Sequence, residues 1–183
     1  ITLGNTTTAA TITTKDILVA AGATLTLSTA TTGGLTFNGA AETDGDFNIT
    51  SSAAANDTIT GGNNADSITC GTGTDVIAGG GGDDTLSFAA STGLTTADTV
   101  DGGTGIDTIS LTGTTAVTAT NFDNVSNIEV IPLTHTTTNV AITTKDILVA
   151  AGAALTLQAT TLTTGILTFN GSAETNGTFN ITG

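Results

Sequence analysis

The chain has no Trp, Tyr or Met, one Cys, one Pro and one His, and only two of its 183 residues carry a positive charge. Each shortage excludes something. Two Lys and no Arg stand against sixteen acids, a formal charge of −14, so nothing is available to neutralise phosphates and nucleic acid is excluded as a partner. A single cysteine cannot form an internal disulfide, and Cys70 reads as a small residue tolerated in a turn. No apolar run approaches the ~20 residues of a membrane helix, and no signal-peptide pattern is present. The missing initiator Met suggests that Ile1 is a processed start. Only six Phe supply aromatic bulk, so the core is expected to be Ile, Leu, Val, Ala and Thr, a composition suited to stacked rungs. Charged residues are only 10% of the chain and mean hydropathy is +0.28, which argues against disorder driven by charge. The one histidine, His135, lies in a Thr run without an acid or nucleophile pattern. The acid pairs Asp83/Asp84 and Asp44/Asp46 imitate a carboxylate dyad, but the second becomes Asn176 and Thr178 in an internal copy. No enzyme is expected.

What is abundant is periodic. Asp57, Asp66, Asp75 and Asp84 recur nine residues apart, each followed two residues later by an aliphatic: Ile59, Ile68, Ile77 and Leu86. After a five-residue slip, Phe88 to Thr92, the pattern resumes with Asp98/Val100 and Asp107/Ile109. Glycine-rich frames precede these acids, the fullest being Gly79-Gly80-Gly81-Gly82-Asp83-Asp84 and Gly102-Gly103-Thr104-Gly105-Ile106-Asp107. The frame lacks its third glycine in Gly61-Gly62-Asn63-Asn64-Ala65-Asp66 and its first in Cys70-Gly71-Thr72-Gly73-Thr74-Asp75. Glycine reaches the positive φ that a tight turn needs and lets carbonyls approach closely. A carboxylate supplies the hard oxygen that Ca²⁺ prefers. The last three residues of each frame form a short strand whose central aliphatic points inward. Two frames then complete one turn of a flattened coil, so that residues eighteen apart stack, 57 over 75 and 66 over 84.

The pattern G-G-x-G-x-D-x-U-x over residues 52–110 resembles the RTX (repeats-in-toxin) β-roll family. The resemblance implies Ca²⁺ held between adjacent turns by Asp side chains and glycine-loop carbonyls. Carried over position by position, it implies metal sites built from Asp57, Asp66, Asp75, Asp84, Asp98 and Asp107 with Gly62, Asn64, Gly71, Gly73, Gly80, Gly82, Gly103 and Gly105. The implied pairs are Asp57–Asp75, Asp66–Asp84, Asp75–Asp98 and Asp84–Asp107. It also implies type I secretion, an extracellular or cell-surface location, and a roll that is unstable without metal because its carboxylates repel.

A duplication organises the remainder. Residues 1–27 match 131–157 at an offset of 130, with ITTKDILVAAGATLTL answered by ITTKDILVAAGAALTL. The match continues at an offset of 132, LTFNGAAETDGDFNIT against LTFNGSAETNGTFNIT. Pairs such as Leu25/Leu27, Leu35/Phe37 and Phe47/Ile49 read as short strands between Gly/Asn/Asp turns. The expected fold is all-β, a right-handed parallel β-solenoid of stacked rungs. Its expected parts are a spacer at 1–51, a calcium roll at 52–110, an exit rung at 111–130 and a second spacer at 131–183. The segment from Lys15 to Ala21 and its copy fit a helical turn as well as a strand.

Threonine fills roughly a quarter of the chain, as β-branched strand residues do. Thr-rich faces also resemble ice-binding solenoids, but the T-x-T units here keep no constant interval. The expected function is a calcium-binding extracellular structural module that folds on secretion and assembles into a surface layer or filament. Its expected partners are further copies, head to tail, and a cell-surface polysaccharide. The alternatives are a rigid spacer of a large adhesin, an ice-binding solenoid, and the secretion tail of an exported hydrolase.

Overall fold

The computed structural model describes all residues except 5, 6, 30, 31, 52, 113–115, 135–138, 161 and 163, so His135 lies outside the described residues. The chain is a parallel β-solenoid. Alternate strands form one nine-stranded sheet: β1 (Thr2–Leu3), β3 (Thr24–Thr29), β5 (Asp46–Thr50), β7 (Ser67–Thr69), β9 (Thr85–Ala89), β11 (Thr108–Thr112), β13 (Val130–Pro132), β15 (Ala154–Gln158) and β17 (Thr178–Thr182). The opposite face is a six-stranded sheet of β2 (Ala10–Thr13), β4 (Leu35–Asn38), β6 (Thr58–Thr60), β8 (Val76–Gly81), β10 (Thr99–Thr104) and β12 (Val125–Ser126). A parallel pair, β14 (Val140–Thr143) with β16 (Leu167–Asn170), forms the remaining sheet.

The register follows the sequence period. Thr58 lies beside Val76 and Ser67 beside Thr85, the expected eighteen-residue turn. Across the slip, Val76 pairs with Thr99 and Thr85 with Thr108, so the extra residues lengthen one rung without shifting the faces. A single helical turn, Ala90–Gly93, takes up the excess. The period of two along each strand turns Ile59, Ile68, Ile77, Leu86, Val100 and Ile109 inward, all 1% exposed or less. A slip of one residue would turn each of them to solvent. Each such burial stabilises by about 1.5–3 kcal/mol.

The spacers continue the same coil with longer rungs. Phe37 and Phe47 meet edge to face with centroids 4.9 Å apart, and their copies Phe169 and Phe179 do so at 4.8 Å. The segment from Lys15 to Ala21 is neither helix nor strand but consecutive turns, with Leu18 N–H donating to the Lys15 carbonyl and Ala23 N–H to Ala20. Gly22, at φ 69°, ends it in a conformation that favours glycine.

Candidate calcium-binding site

The six periodic aspartates are all buried and stand in two columns, one at each lateral edge of the coil. In the first, one carboxylate oxygen of Asp75 accepts the amide of Asp57 at 2.8 Å, and Asp98 accepts that of Asp75 at 2.8 Å. In the second, Asp84 accepts from Asp66 at 2.7 Å and Asp107 from Asp84 at 2.8 Å. The columns reach into the first spacer, where Asp57 accepts the Leu35 amide at 2.6 Å and Asp66 the Phe47 amide at 2.7 Å. Each Oδ1 thus replaces a ladder partner at a corner where strand pairing stops.

The second oxygens separate the six acids. Oδ2 of Asp75, Asp84 and Asp107 is buried without a hydrogen-bond partner. Oδ2 of Asp66 accepts from Gly62 N–H at 2.6 Å, and Oδ2 of Asp98 from Thr95 N–H at 2.7 Å. A buried, unpartnered carboxylate oxygen is costly unless a cation or proton meets it.

Glycine keeps the space beside these oxygens open. A Cβ on Gly79 would lie 2.2 Å from Asp84 Oδ2 and 2.4 Å from the Gly102 carbonyl oxygen. On Gly61 it would lie 2.3 Å from Asp66 Oδ2 and 2.0 Å from the Gly79 carbonyl oxygen. On Gly102 it would lie 2.7 Å from Asp107 Oδ2 and 2.0 Å from the Asn127 carbonyl oxygen. Carboxylate and carbonyl oxygens, the ligand type that Ca²⁺ prefers, are thus packed together against each of these glycines. The other glycine positions stack as expected: Gly80 against the Gly62 carbonyl, Gly103 against Gly80, Gly105 against Gly82, and Gly82 against Asn64. On the opposite edge Gly73 stacks on Ala55, and Gly71 lies beneath Gly93. Gly80, Gly82, Gly103 and Gly105 hold φ between 94° and 140°, where a side chain would be strained.

The electrostatics carry the same strain. Burial pushes the Asp84 carboxyl up to about 7 and those of Asp66, Asp75 and Asp107 up to about 6, against an ordinary 3.8. The accepted amides pull each value down, and neighbouring acids push it further up: Asp57 and Asp98 at Asp75, Asp66 and Asp107 at Asp84. Without a cation, the coil buries carboxylates that resist ionisation.

Residues 52–86 and 92–111 match the family model of the RTX calcium-binding nonapeptide repeat, in four copies. This segment resembles an RTX repeat module. RTX nonapeptide repeats bind Ca²⁺, and the matched segment holds buried carboxylates with carbonyl oxygens packed beside them at glycine positions. Comparison with curated proteins gives no match, and neither does comparison with solved structures.

Three features of the RTX edge escape the nine-residue frame. Glu129 Oε2 accepts the Asp107 amide at 2.9 Å, doing for Asp107 what Asp107 does for Asp84. Asn127, at φ 52°, continues the column of Gly79 and Gly102 and donates its side-chain amide to Asp101 at 2.7 Å. A further acidic group, Asp16, Glu42 and Asp44, brings its ligand oxygens within 4.8 Å of one another in the first spacer. Two of its carboxylates are already engaged with backbone: Glu42 accepts from Gly45 at 3.1 Å and Val19 at 3.3 Å, and Asp16 accepts from Thr43 at 2.9 Å. In the internal copy Asp16 is answered by Asp146 and Glu42 by Glu174, but Asp44 by Asn176. Among the described residues, no helix is long and apolar enough to cross a membrane.

Proposed function

We propose that this chain is a calcium-gated structural module of a secreted surface layer or filament, with ions seated between successive carboxylates of each column. The observation that supports this best is the set of orphaned, buried Oδ2 atoms on Asp75, Asp84 and Asp107. The strongest seats in this reading lie along Asp66, Asp84 and Asp107, where a glycine with a carbonyl oxygen packed against it accompanies every acid and Glu129 closes the column. On the opposite edge Cys70 stands where the frame would place such a glycine, five residues before Asp75, and makes that seat poorer. Residues 1–51 and 131–183 act as spacers around the roll of 52–110, and 111–130 leads out of it. The module is non-catalytic.

Extracellular calcium modules bind at about 10⁻⁴–10⁻³ M, so at cytosolic calcium the melting midpoint of the chain lies below growth temperature; it stays unfolded in the cell, leaves through a type I channel and folds outside. Its solenoid ends then join further copies. The test is circular dichroism with sedimentation velocity during a calcium titration from chelator to about 10 mM, with magnesium as the control. A β transition in calcium alone with growth into long particles is expected. A β signal indifferent to chelator would sink the gating. Sheets that run unbroken from spacer through roll also favour a second reading, a rigid adhesin segment, for which folding without growth is the signature.

A further inference from the structure

One loop occurs twice in different surroundings: Lys15-Asp16-Ile17-Leu18-Val19 and Lys145-Asp146-Ile147-Leu148-Val149. Its own fold is the same in both places. Leu18 N–H donates to Lys15 at 2.8 Å as Leu148 does to Lys145 at 3.0 Å. Asp16 accepts the Thr43 amide at 2.9 Å as Asp146 accepts that of Thr175 at 2.8 Å.

The second copy shows what this loop can hold. There the rung that leaves the RTX roll lies against it, with Asn127 and Ile128 donating their amides to the Ile147 and Leu148 carbonyls at 3.2 and 2.9 Å. Lys145 pairs with Asp123 at 3.4 Å, and Val117 forms a parallel bridge with Val140. Leu148 is 0% exposed in that contact, whereas Leu18, the same residue in the same turn, is 54% exposed. Lys15, Ile17 and Leu18 line an open groove with Thr13.

We propose that this face of the first spacer, β2 together with the loop from Lys15 to Val19, is a seat for the exit rung of another RTX roll, joined in the same polypeptide ahead of Ile1. The chemistry of the occupant follows from the second copy. It brings a carboxylate to Lys15, two backbone amides to the carbonyls of Ile17 and Leu18, and an apolar pocket for the Leu18 side chain. A second molecule is the poorer source, because its own exit rung is already covered by its own second spacer. The offset of 130 supplies the geometry: a unit ending at residue 130 runs in frame into Ile1 as Val130 runs into Ile131. The spacer is then a two-sided connector, receiving one roll on this face and starting the next from β4 and β5. The inference rests on the calcium-roll reading only in that the docked rung leaves such a roll.

The test is a tandem protein with residues 1–130 placed in frame before the whole chain, studied by hydrogen exchange in calcium. The upstream Ile128 amide is expected to exchange at least about tenfold more slowly than an open amide. Leu18→Ser in the downstream unit should remove that protection, yet leave the melting midpoint of the single chain unchanged, because Leu18 is exposed there. Lys15→Glu should weaken the protection, and upstream Asp123→Lys should restore it. An upstream Ile128 amide that stays open, or protection indifferent to Leu18→Ser, overturns the seat. So does a concentration-dependent dimer of the single chain that Leu18→Ser abolishes, which would give the face to a second copy. Calcium uptake is read separately. A tandem that takes up no calcium sinks the proposed function, while twice the uptake of the single chain with an open Ile128 amide sinks the seat alone.

Discussion

Asp84→Asn should stabilise the calcium-free chain and weaken its response to calcium, two effects of opposite sign from one atom exchanged. Asp84 is 1% exposed, its Oδ1 accepts the Asp66 amide at 2.7 Å, and its Oδ2 has no partner. Burial raises its carboxyl from 3.8 to about 7. At about 1.4 kcal/mol per pKa unit, ionising it inside the metal-free fold costs about 4 kcal/mol at pH 8. Asparagine keeps the Oδ1 acceptor and removes the charge, but buries an NH₂ without an acceptor, at about 1–3 kcal/mol. The net gain of about 1–3 kcal/mol raises the melting midpoint in chelator by about 2–12 °C for a chain of this length. The sign reverses with pH in a defined way. Because the folded value lies above the unfolded one, the stability tied to Asp84 is complete below about 3.8 and is lost as pH rises through about 7. The advantage of Asn is therefore present at pH 8 and gone at pH 5, where the wild-type carboxyl is already protonated. In calcium the variant lacks an anionic ligand, so the calcium-induced rise in midpoint should shrink. Scanning calorimetry at both pH values, with chelator and with calcium, reads all four quantities. A variant less stable than wild type in chelator at pH 8, or one with the full calcium response, would refute the reasoning.

The glycine gaps, the end of the column and the start of the roll give three more expectations. Gly79→Ala puts a methyl 2.2 Å from Asp84 Oδ2 and 2.4 Å from the Gly102 carbonyl, and should lower calcium affinity at least about tenfold by titration calorimetry; Gly4→Ala, with nothing within 4 Å of its Cβ, should leave affinity unchanged. Glu129→Ala leaves the Asp107 amide without its acceptor, at about 1–3 kcal/mol, whereas Glu129→Gln retains it and costs less; faster exchange of the Asp107 amide in the Ala variant alone is the check. Gly34→Ala forces a Cβ to 2.0 Å from the Asn56 carbonyl oxygen, costing about 1–3 kcal/mol or more, and should expose the Leu35 amide, now held by Asp57 at 2.6 Å, to exchange.

The roll was legible in the sequence because its buried acids and inward aliphatics share one short period. Asp66, Ile68 and their copies at 84/86 and 107/109 fix face, edge and register together, and the five-residue slip changes none of these because it is absorbed in the turn Ala90–Gly93. The end of the column was not legible. Glu129 follows Asp107 by 22 residues and carries a longer side chain, and only the pairing of β11 with β13 brings the Asp107 amide within its reach. Asn127 was hidden for a related reason: nothing in the frame announces that a non-glycine residue takes the positive φ of the last loop. The loop from Lys15 to Val19 defeated periodicity altogether, because it follows a corner instead of a face, and its apolar residues serve whatever rung lies next to it.

The unevenness of the frames, by contrast, carries physical information. Five residues before Asp66, Asp84 and Asp107 stand Gly61, Gly79 and Gly102, and each lets a carbonyl oxygen and the carboxylate pack where a side chain would be. Five residues before Asp75 stands Cys70, 4% exposed, whose thiol burial pushes up and the neighbouring Asp75 and Asp57 push further. A neutral, space-filling side chain beside a buried carboxylate is the opposite of a cation seat. Both edges keep the hydrogen-bonded column and both hold an orphaned oxygen, on Asp75 as on Asp84 and Asp107; they differ in the residue beside the acid, glycine at the Asp84 edge and Cys70 at Asp75. Cys70 thus marks where the coil fills the space beside an acid with a side chain, and Gly61, Gly79 and Gly102 mark where carbonyl and carboxylate oxygens crowd together instead.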